Sequence, residues 1–301
     1  MQDLQTELRD EPLAFWNVPD IQSVDCPCCD QTMSHISSYP FHSSAKFARQ
    51  LVLWCQGCGF GLVPDTSFSL SDYYRTEYAI DNRNDRAIPP EDYFAAMDSA
   101  DPPRNLKRYV ARAKDQLRRI RKIGGEIGAM LDVGAGPGYA LRVSEADEKF
   151  AIEYDKHSRK YLDHIGARVI DWDTVEKHGY DAVLLSHSME HFEYRDLLPR
   201  LKMLAKSLNP GGVLYAEVPC GGLGWKNYNS KQEPHTLFFT PEALFSLGRK
   251  LGLKMIIGKP LARSNKHIED LENPIYEPEP GSPFDSSEGR ITLIARKPED
   301  G

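Results

Sequence analysis

Apolar positions along this chain follow two different periods. From about residue 102 onward, short apolar runs alternate with stretches of helical spacing. Leu106, Val110, Ala113, Leu117 and Ile120 share one face of a helix expected over Pro102–Ile123, and Gly124-Gly125 ends it. The apolar runs predict strands ending at Val133 and at Glu153, then strands over Ala167–Ile170, Tyr180–Leu185, Val213–Val218, Lys254–Ile257 and Arg290–Arg296. A short helix after Gly138, then helices over Asp155–Ile165, Arg195–Leu208 and Thr240–Leu251, fall between them, the last with Thr240 as cap and Pro241 at its first position. Strands and helices that alternate in this way predict an α/β domain over residues 102–301.

The first hundred residues read differently. Residues 1–24 are polar with scattered aromatics, Phe15 and Trp16 among them, and suggest an arm without chemistry. Residues 25–66 carry Cys26-Pro27-Cys28-Cys29 and Cys55-Gln56-Gly57-Cys58-Gly59, with a strand expected over Phe47–Trp54. This pair of Cys-x-x-Cys knuckles resembles a zinc ribbon. Thiolates at that spacing converge on one tetrahedral ion, and Gly59 frees the backbone to turn toward it. Cys26, Cys29, Cys55 and Cys58 are the expected ligands of a structural zinc, with Cys28 a bystander; a set of free cysteines is the alternative. Residues 67–101 are tyrosine-rich, with Tyr73, Tyr74, Tyr78 and Tyr93, and form a connector or lid.

Composition narrows the function. The 301 residues carry a net charge of −7, which argues against a general nucleic-acid binder. Neither a secretory h-region nor an apolar run of spanning length is apparent, so a cytoplasmic protein is expected. Five of the six cysteines precede residue 60, which in a reducing compartment points to metal before disulfides.

The chain is organised around Met130-Leu131-Asp132-Val133-Gly134-Ala135-Gly136-Pro137-Gly138-Tyr139. An apolar strand meets an acidic residue and then three glycines at alternate positions, the composition of a nucleotide loop at a strand end. A second strand ends at Glu153, where a carboxylate can accept from ribose hydroxyls. Asp132 would repel a pyrophosphate and suits a cationic ligand. The pattern resembles motif I of class I S-adenosylmethionine (SAM) methyltransferases, and the resemblance runs from about Gly128 to Lys297. It implies a Rossmann-like seven-stranded sheet whose last strand lies antiparallel between strands five and six. Asn209-Pro210-Gly211-Gly212 resembles that family's turn before strand five. Cys58-Gly59, Gly61-Leu62-Val63-Pro64 and Tyr73-Tyr74-Arg75-Thr76-Glu77-Tyr78 match a narrower group, bacterial methyltransferases of sugars and related metabolites. The best-known members, which methylate carbon, carry a further C-terminal domain that this sequence does not reach, which puts transfer to carbon in doubt.

That resemblance implies the site. Gly134, Gly136 and Gly138 would lie under the methionine part of SAM, near Asp132; Glu153 would bind the ribose and Asp171 the adenine amine, with Asp173 its competitor. Trp172 would pack on adenine or in the core, and Tyr154 and Ser186 complete the cofactor candidates. Ser186-His187-Ser188-Met189-Glu190-His191-Phe192 places His191 beside Glu190 at a strand's carboxyl end, well set for general-base work, with packing under the cofactor as the other reading. His187 is structural or a cofactor neighbour. Tyr78 and His235 are the further catalytic candidates; His235 faces substrate or locks its loop, and the tyrosines close over the site or pack between domains. Cys220 sits in a loop at the ligand edge, as a substrate contact or a small buried residue. Residues 259–289 form a Pro-rich connection or lid. The expected activity is methyl transfer to a small polar metabolite, a sugar or nucleotide-linked sugar. A macromolecular acceptor docked by the ribbon and a non-catalytic SAM-binding partner are the rivals.

Overall fold

In a computed structural model the described residues are 24–39, 47, 50–66, 68–78, 88–219, 221, 235–257 and 290–299. The expected N-terminal arm, the Cys220 position and the Pro-rich stretch 259–289 lie outside them. Among the described residues no helix is long and apolar enough to cross a membrane.

Seven strands build the main sheet: β6 (Ala129–Val133), β7 (Glu148–Ile152), β8 (Arg168–Val169), β9 (Tyr180–Ser186), β10 (Leu208–Pro219), β12 (Lys254–Ile257) and β13 (Arg290–Arg296). Their order is β12-β13-β10-β9-β6-β7-β8. The pairs β10–β9, β9–β6, β6–β7 and β7–β8 are parallel, and β13 runs antiparallel to both β10 and β12. This is an α/β Rossmann-like sheet. Its inner strands are apolar on both faces because helices cover both. Leu131, Val133, Phe150, Val183 and Leu185 pack on one side, and Met130, Ala151, Ala182 and Leu184 on the other.

Helix α3 (Arg104–Gly124) covers the second side. Its expected apolar face divides: Ala113, Leu117 and Ile120 are buried on the sheet, while Leu106 and Val110 pack with Tyr93, Phe94 and Met97 of α2 (Pro90–Asp98). The helix expected from Asp155 begins only at Arg159, as α5 (Arg159–His164). Asp155 accepts from the His157 N–H and the Ser158 hydroxyl, both at 3.0 Å, and so holds a turn there instead. Strand β10 starts before the Gly211-Gly212 turn, with a register shift between Leu208 and Val213. A Cβ on Gly212 would come within 2.8 Å of the Tyr180 carbonyl oxygen.

The cysteine region is not self-contained. A hairpin of β1 (Val24–Asp25) and β2 (Thr32–Met33) carries the first knuckle. The second follows β4 (Leu51–Trp54), a strand shorter than the Phe47–Trp54 expected. A second sheet runs β11-β5-β4-β3, joining β3 (His35–Ser38), β4 and β5 (Gly61–Leu62) to β11 (Leu237–Phe238) from far along the chain. Helix α7 (Pro241–Arg249) is capped by Thr240, as expected, and the same hydroxyl donates to the Cys58 carbonyl. The cysteine region is thus tied to the segment holding His235.

Candidate active site

The glycine loop leaves β6 with φ of 76° at Gly134 and 56° at Gly136. A Cβ on Gly134 would lie 2.6 Å from the Ser188 Cβ, so a side chain there cannot be housed. The Gly136 N–H donates to Glu153 Oε2 at 2.5 Å and the Asp155 N–H to Glu153 Oε1 at 2.8 Å, which locks the loop to the end of β7. Loop and strand ends open onto a cavity of about 800 Å³, at the carboxyl edge where doubly wound sheets bind ligands.

Asp132 lines this cavity yet is only 4% exposed. Burial first, and then the neighbouring Glu153 charge, push its carboxyl up to about 7 against the opposing pull of Arg112. A buried carboxylate poised this way is a receptor for a cation. Trp172 donates to the Tyr154 hydroxyl at 3.1 Å, with Arg200 over the Trp172 ring at 4.7 Å. Gln116 donates to the Ser186 hydroxyl at 2.9 Å.

Across the cavity, a tight turn at Met189–His191 follows β9. It buries Glu190 to 1% exposure. Nε2 of His191 and Nε2 of His235 each lie 4.0 Å from Glu190 Oε1, and the two rings meet edge to face at 5.0 Å. Thr236 holds the second histidine there: its N–H donates to the Glu190 carbonyl at 2.9 Å and its hydroxyl to the Phe192 carbonyl at 2.7 Å. His187, at φ 54°, sits between carboxylates, 3.4 Å from Glu190 and 3.3 Å from Glu217, and Arg290 lies 3.1 Å from Glu217. Burial raises the Glu190 carboxyl, but the three surrounding histidines outweigh it and hold it at about 2. Burial, reinforced by His191, drives His235 down to about 3.

The sequence profile of the methyltransferase-domain family matches residues 104–256, just over half of the chain and the span holding loop, cavity and cluster. The chain belongs to the methyltransferase-domain family. It is an enzyme of the SAM-dependent methyltransferase class. No curated protein matches the sequence. Similar solved structures include a Burkholderia thailandensis 1,6-didemethyltoxoflavin-N1-methyltransferase, at 16% identity and TM-score 0.46, the match covering 86% of this chain and 99% of that one. Another is N-methyltransferase NodS from Bradyrhizobium japonicum, at 12% identity and TM-score 0.42, covering 70% of this chain and 99% of that one. A third is an O-methyltransferase family protein, also from Burkholderia thailandensis, at 13% identity and TM-score 0.43; it covers 76% of this chain, and the match spans 64% of that protein's own length.

Within this methyltransferase, Asp132, Gly134, Gly136, Glu153, Tyr154, Trp172, Ser186, His191 and Tyr78 all line the one cavity. Asp171, Gly138, Glu190 and His235 do not; the last two sit behind His191. Asp171 is exposed, and its carbonyl accepts from Thr174 in the turn that follows. Gly138 caps α4 (Tyr139–Ser144) at φ 85°. The Tyr78 and His191 rings lie 6.3 Å apart, and the Tyr74 hydroxyl lies 2.9 Å from His191 Nδ1. Arg112 and Gln116 are site residues that motif reading missed; Tyr74, in the stretch whose tyrosines were expected to close over the site or pack between domains, does reach it. Gln116 did leave a signal: it is a polar side chain inside the apolar stripe between Ala113 and Leu117.

The four expected metal ligands do converge. Cys26 and Cys58 sulfurs are 3.6 Å apart and those of Cys29 and Cys55 3.4 Å, and all four lie within 4.8 Å of one another. A tetrahedral ion with Zn–S bonds of about 2.3 Å needs S···S edges of about 3.8 Å. The Cys26–Cys58 and Cys29–Cys55 edges come within a few tenths of an ångström of that, so these residues fit a metal. Cys28 is fully buried beside them, and burial pushes its thiol up.

Proposed function

We propose that this methyltransferase transfers the SAM methyl group to a hydroxyl of a small polar metabolite, a sugar or nucleotide-linked sugar, and that a structural zinc holds the cysteine region in place. The observation that carries the reading is the buried Glu190 carboxylate shared by His191 and His235, of which His191 lines the same cavity as the glycine loop. SAM, when bound, supplies a methyl group on a cationic sulfur. Asp132 offers the buried negative charge that such a ligand needs, and Glu153 and the loop backbone offer hydrogen-bonding groups for its ribose.

The acceptor hydroxyl gives up its proton at the histidine cluster, where His191 is the member lining the cavity. Position and orientation of the two substrates supply most of the acceleration. Tyr74, Tyr78, Tyr93, Tyr109 and Tyr139 all line the cavity. Their apolar bodies and polar tips suit a polyhydroxylated acceptor, and Arg108 at the mouth suits a phosphate attached to it.

The test is S-adenosylhomocysteine release over a panel of sugar nucleotides and small alcohols. Turnover on a panel member is expected, and His191→Ala should lower kcat by roughly 10²–10⁴-fold, the usual weight of one proton-transfer group. Turnover unchanged in His191→Ala would contradict the assignment of the cluster.

A further inference from the structure

We propose that Glu190, His191 and His235 form a binding site for one divalent transition-metal cation, separate from the cysteine cluster. Each residue offers one ligand atom, and the three atoms lie within 4.8 Å of one another. Both histidine-to-carboxylate separations are 4.0 Å, too long for hydrogen bonds but right for atoms facing a common centre.

The carboxylate supplies the second observation. Glu190 is 1% exposed, and neither Oε1 nor Oε2 has a hydrogen bond of good geometry, His187 Nδ1 being an ion-pair neighbour of Oε1 at 3.4 Å. A buried carboxylate without a well-aligned donor is costly, and such atoms are rare in folded proteins. One cation between the three residues would satisfy that carboxylate and engage both imidazoles.

The surroundings are those of a ligand set. Metal-bound histidines are usually fixed through their other ring nitrogen, and the Tyr74 hydroxyl lies 2.9 Å from His191 Nδ1. With its proton on Nδ1 donated to that hydroxyl, His191 presents the Nε2 lone pair to the centre. The Thr236 N–H bond to the Glu190 carbonyl holds the third ligand's segment against the first two. Bonds of about 2.1 Å at tetrahedral angles need ligand edges near 3.4 Å, so the side chains must close in by about 0.6 Å.

Two imidazoles and one carboxylate suit zinc, iron(II), cobalt(II) or nickel(II) rather than magnesium or calcium. Three protein ligands leave a position open, as in catalytic sites, and an oxygen of the acceptor would fill it. The inference rests on the preceding reading in one respect, that the acceptor reaches this cluster. It changes how His191 works: its Nε2 lone pair would hold the ion, which would orient and acidify the acceptor hydroxyl, and the proton released on methyl transfer would pass to solvent water in place of His191.

The full-length protein, with its cysteine site loaded with zinc, would be titrated with cobalt(II) by calorimetry and visible absorption. S-adenosylhomocysteine binding would be measured on the same samples. The wild type should take up one cobalt with d–d bands but without the thiolate charge-transfer band that marks exchange at the cysteines. Glu190→Gln and His235→Ala should each lose that uptake and keep S-adenosylhomocysteine binding. Tyr74→Phe should weaken uptake by roughly tenfold. Absence of uptake by the wild type, uptake only with the thiolate band, or uptake unchanged in both variants would overturn the site and leave the histidines as bases. Failure of S-adenosylhomocysteine to bind the wild type would instead sink the cofactor reading, whatever cobalt does.

Discussion

The Tyr74 hydroxyl lies 2.9 Å from Nδ1 of His191, a contact between side chains 117 residues apart. It joins the tyrosine-rich connector to the turn after β9 and fixes how the imidazole faces Glu190. Burial pushes the Tyr74 phenol well up, so the hydroxyl stays neutral. Tyr74→Phe removes one buried hydrogen bond, worth about 1 kcal/mol, and leaves the ring packing intact. The expected result is a roughly fivefold lower kcat with unchanged S-adenosylhomocysteine affinity. Steady-state kinetics beside calorimetry separates this from a packing role, for which affinity and rate would fall together.

A pH dependence follows from Asp132. Its carboxyl titrates at about 7 in the folded protein, because burial and then Glu153 disfavour its charge. In the unfolded chain an aspartate titrates near ~3.9. Between about pH 4 and pH 7 the native state therefore holds a proton that the unfolded chain has released. The free protein's stability falls as pH rises through that window. Asp132→Asn should flatten this slope in urea denaturation between pH 5 and pH 8. A cationic ligand should reverse the trend: SAM affinity should rise through about pH 7, with proton release on binding, and the variant should lose both effects. Equal slopes in wild type and variant would refute the assignment.

Much of the methyltransferase sheet was legible in the sequence, because parallel strands buried on both faces read as apolar runs. The end at Val133 was visible for that reason, whereas the antiparallel strands Lys254–Ile257 and Arg290–Arg296 were legible as short apolar runs. The turn at Asp155 was not, since a side chain that caps its own loop looks like a first helical turn until its hydrogen bonds are known. The site was legible in parts. Asp132, Glu153 and His191 stand at strand ends next to recognisable turns. The approach of His235 to Glu190 was hidden, because it depends on Thr236 pairing across the fold. The two-residue strand β11, which closes the cysteine region's sheet, carries no pattern of its own and exists only through its partner β5.

That shared sheet makes the cysteine site matter to catalysis at a distance. Zinc is expected at one ion per chain, and Cys55→Ser should lose it, since metal binding in such a cluster is folding energy. The loss should travel along β5 to Leu237–Phe238 and through the bond from Thr240 to the Cys58 carbonyl. Hydrogen exchange should show faster opening at residues 236–240 in the variant, together with a lower melting temperature. Faster exchange confined to residues 24–62 would show that the two sheets are uncoupled.

The account's central claim is that the glycine loop, Asp132 and Glu153 form a SAM site. The most direct measurement is calorimetric titration of the wild type and of Glu153→Ala with S-adenosylhomocysteine. The wild type should bind one equivalent. Glu153→Ala should weaken binding by up to about a hundredfold, the scale of one or two charged hydrogen bonds. Absence of binding in the wild type, or preference for NAD over S-adenosylhomocysteine, would contradict it.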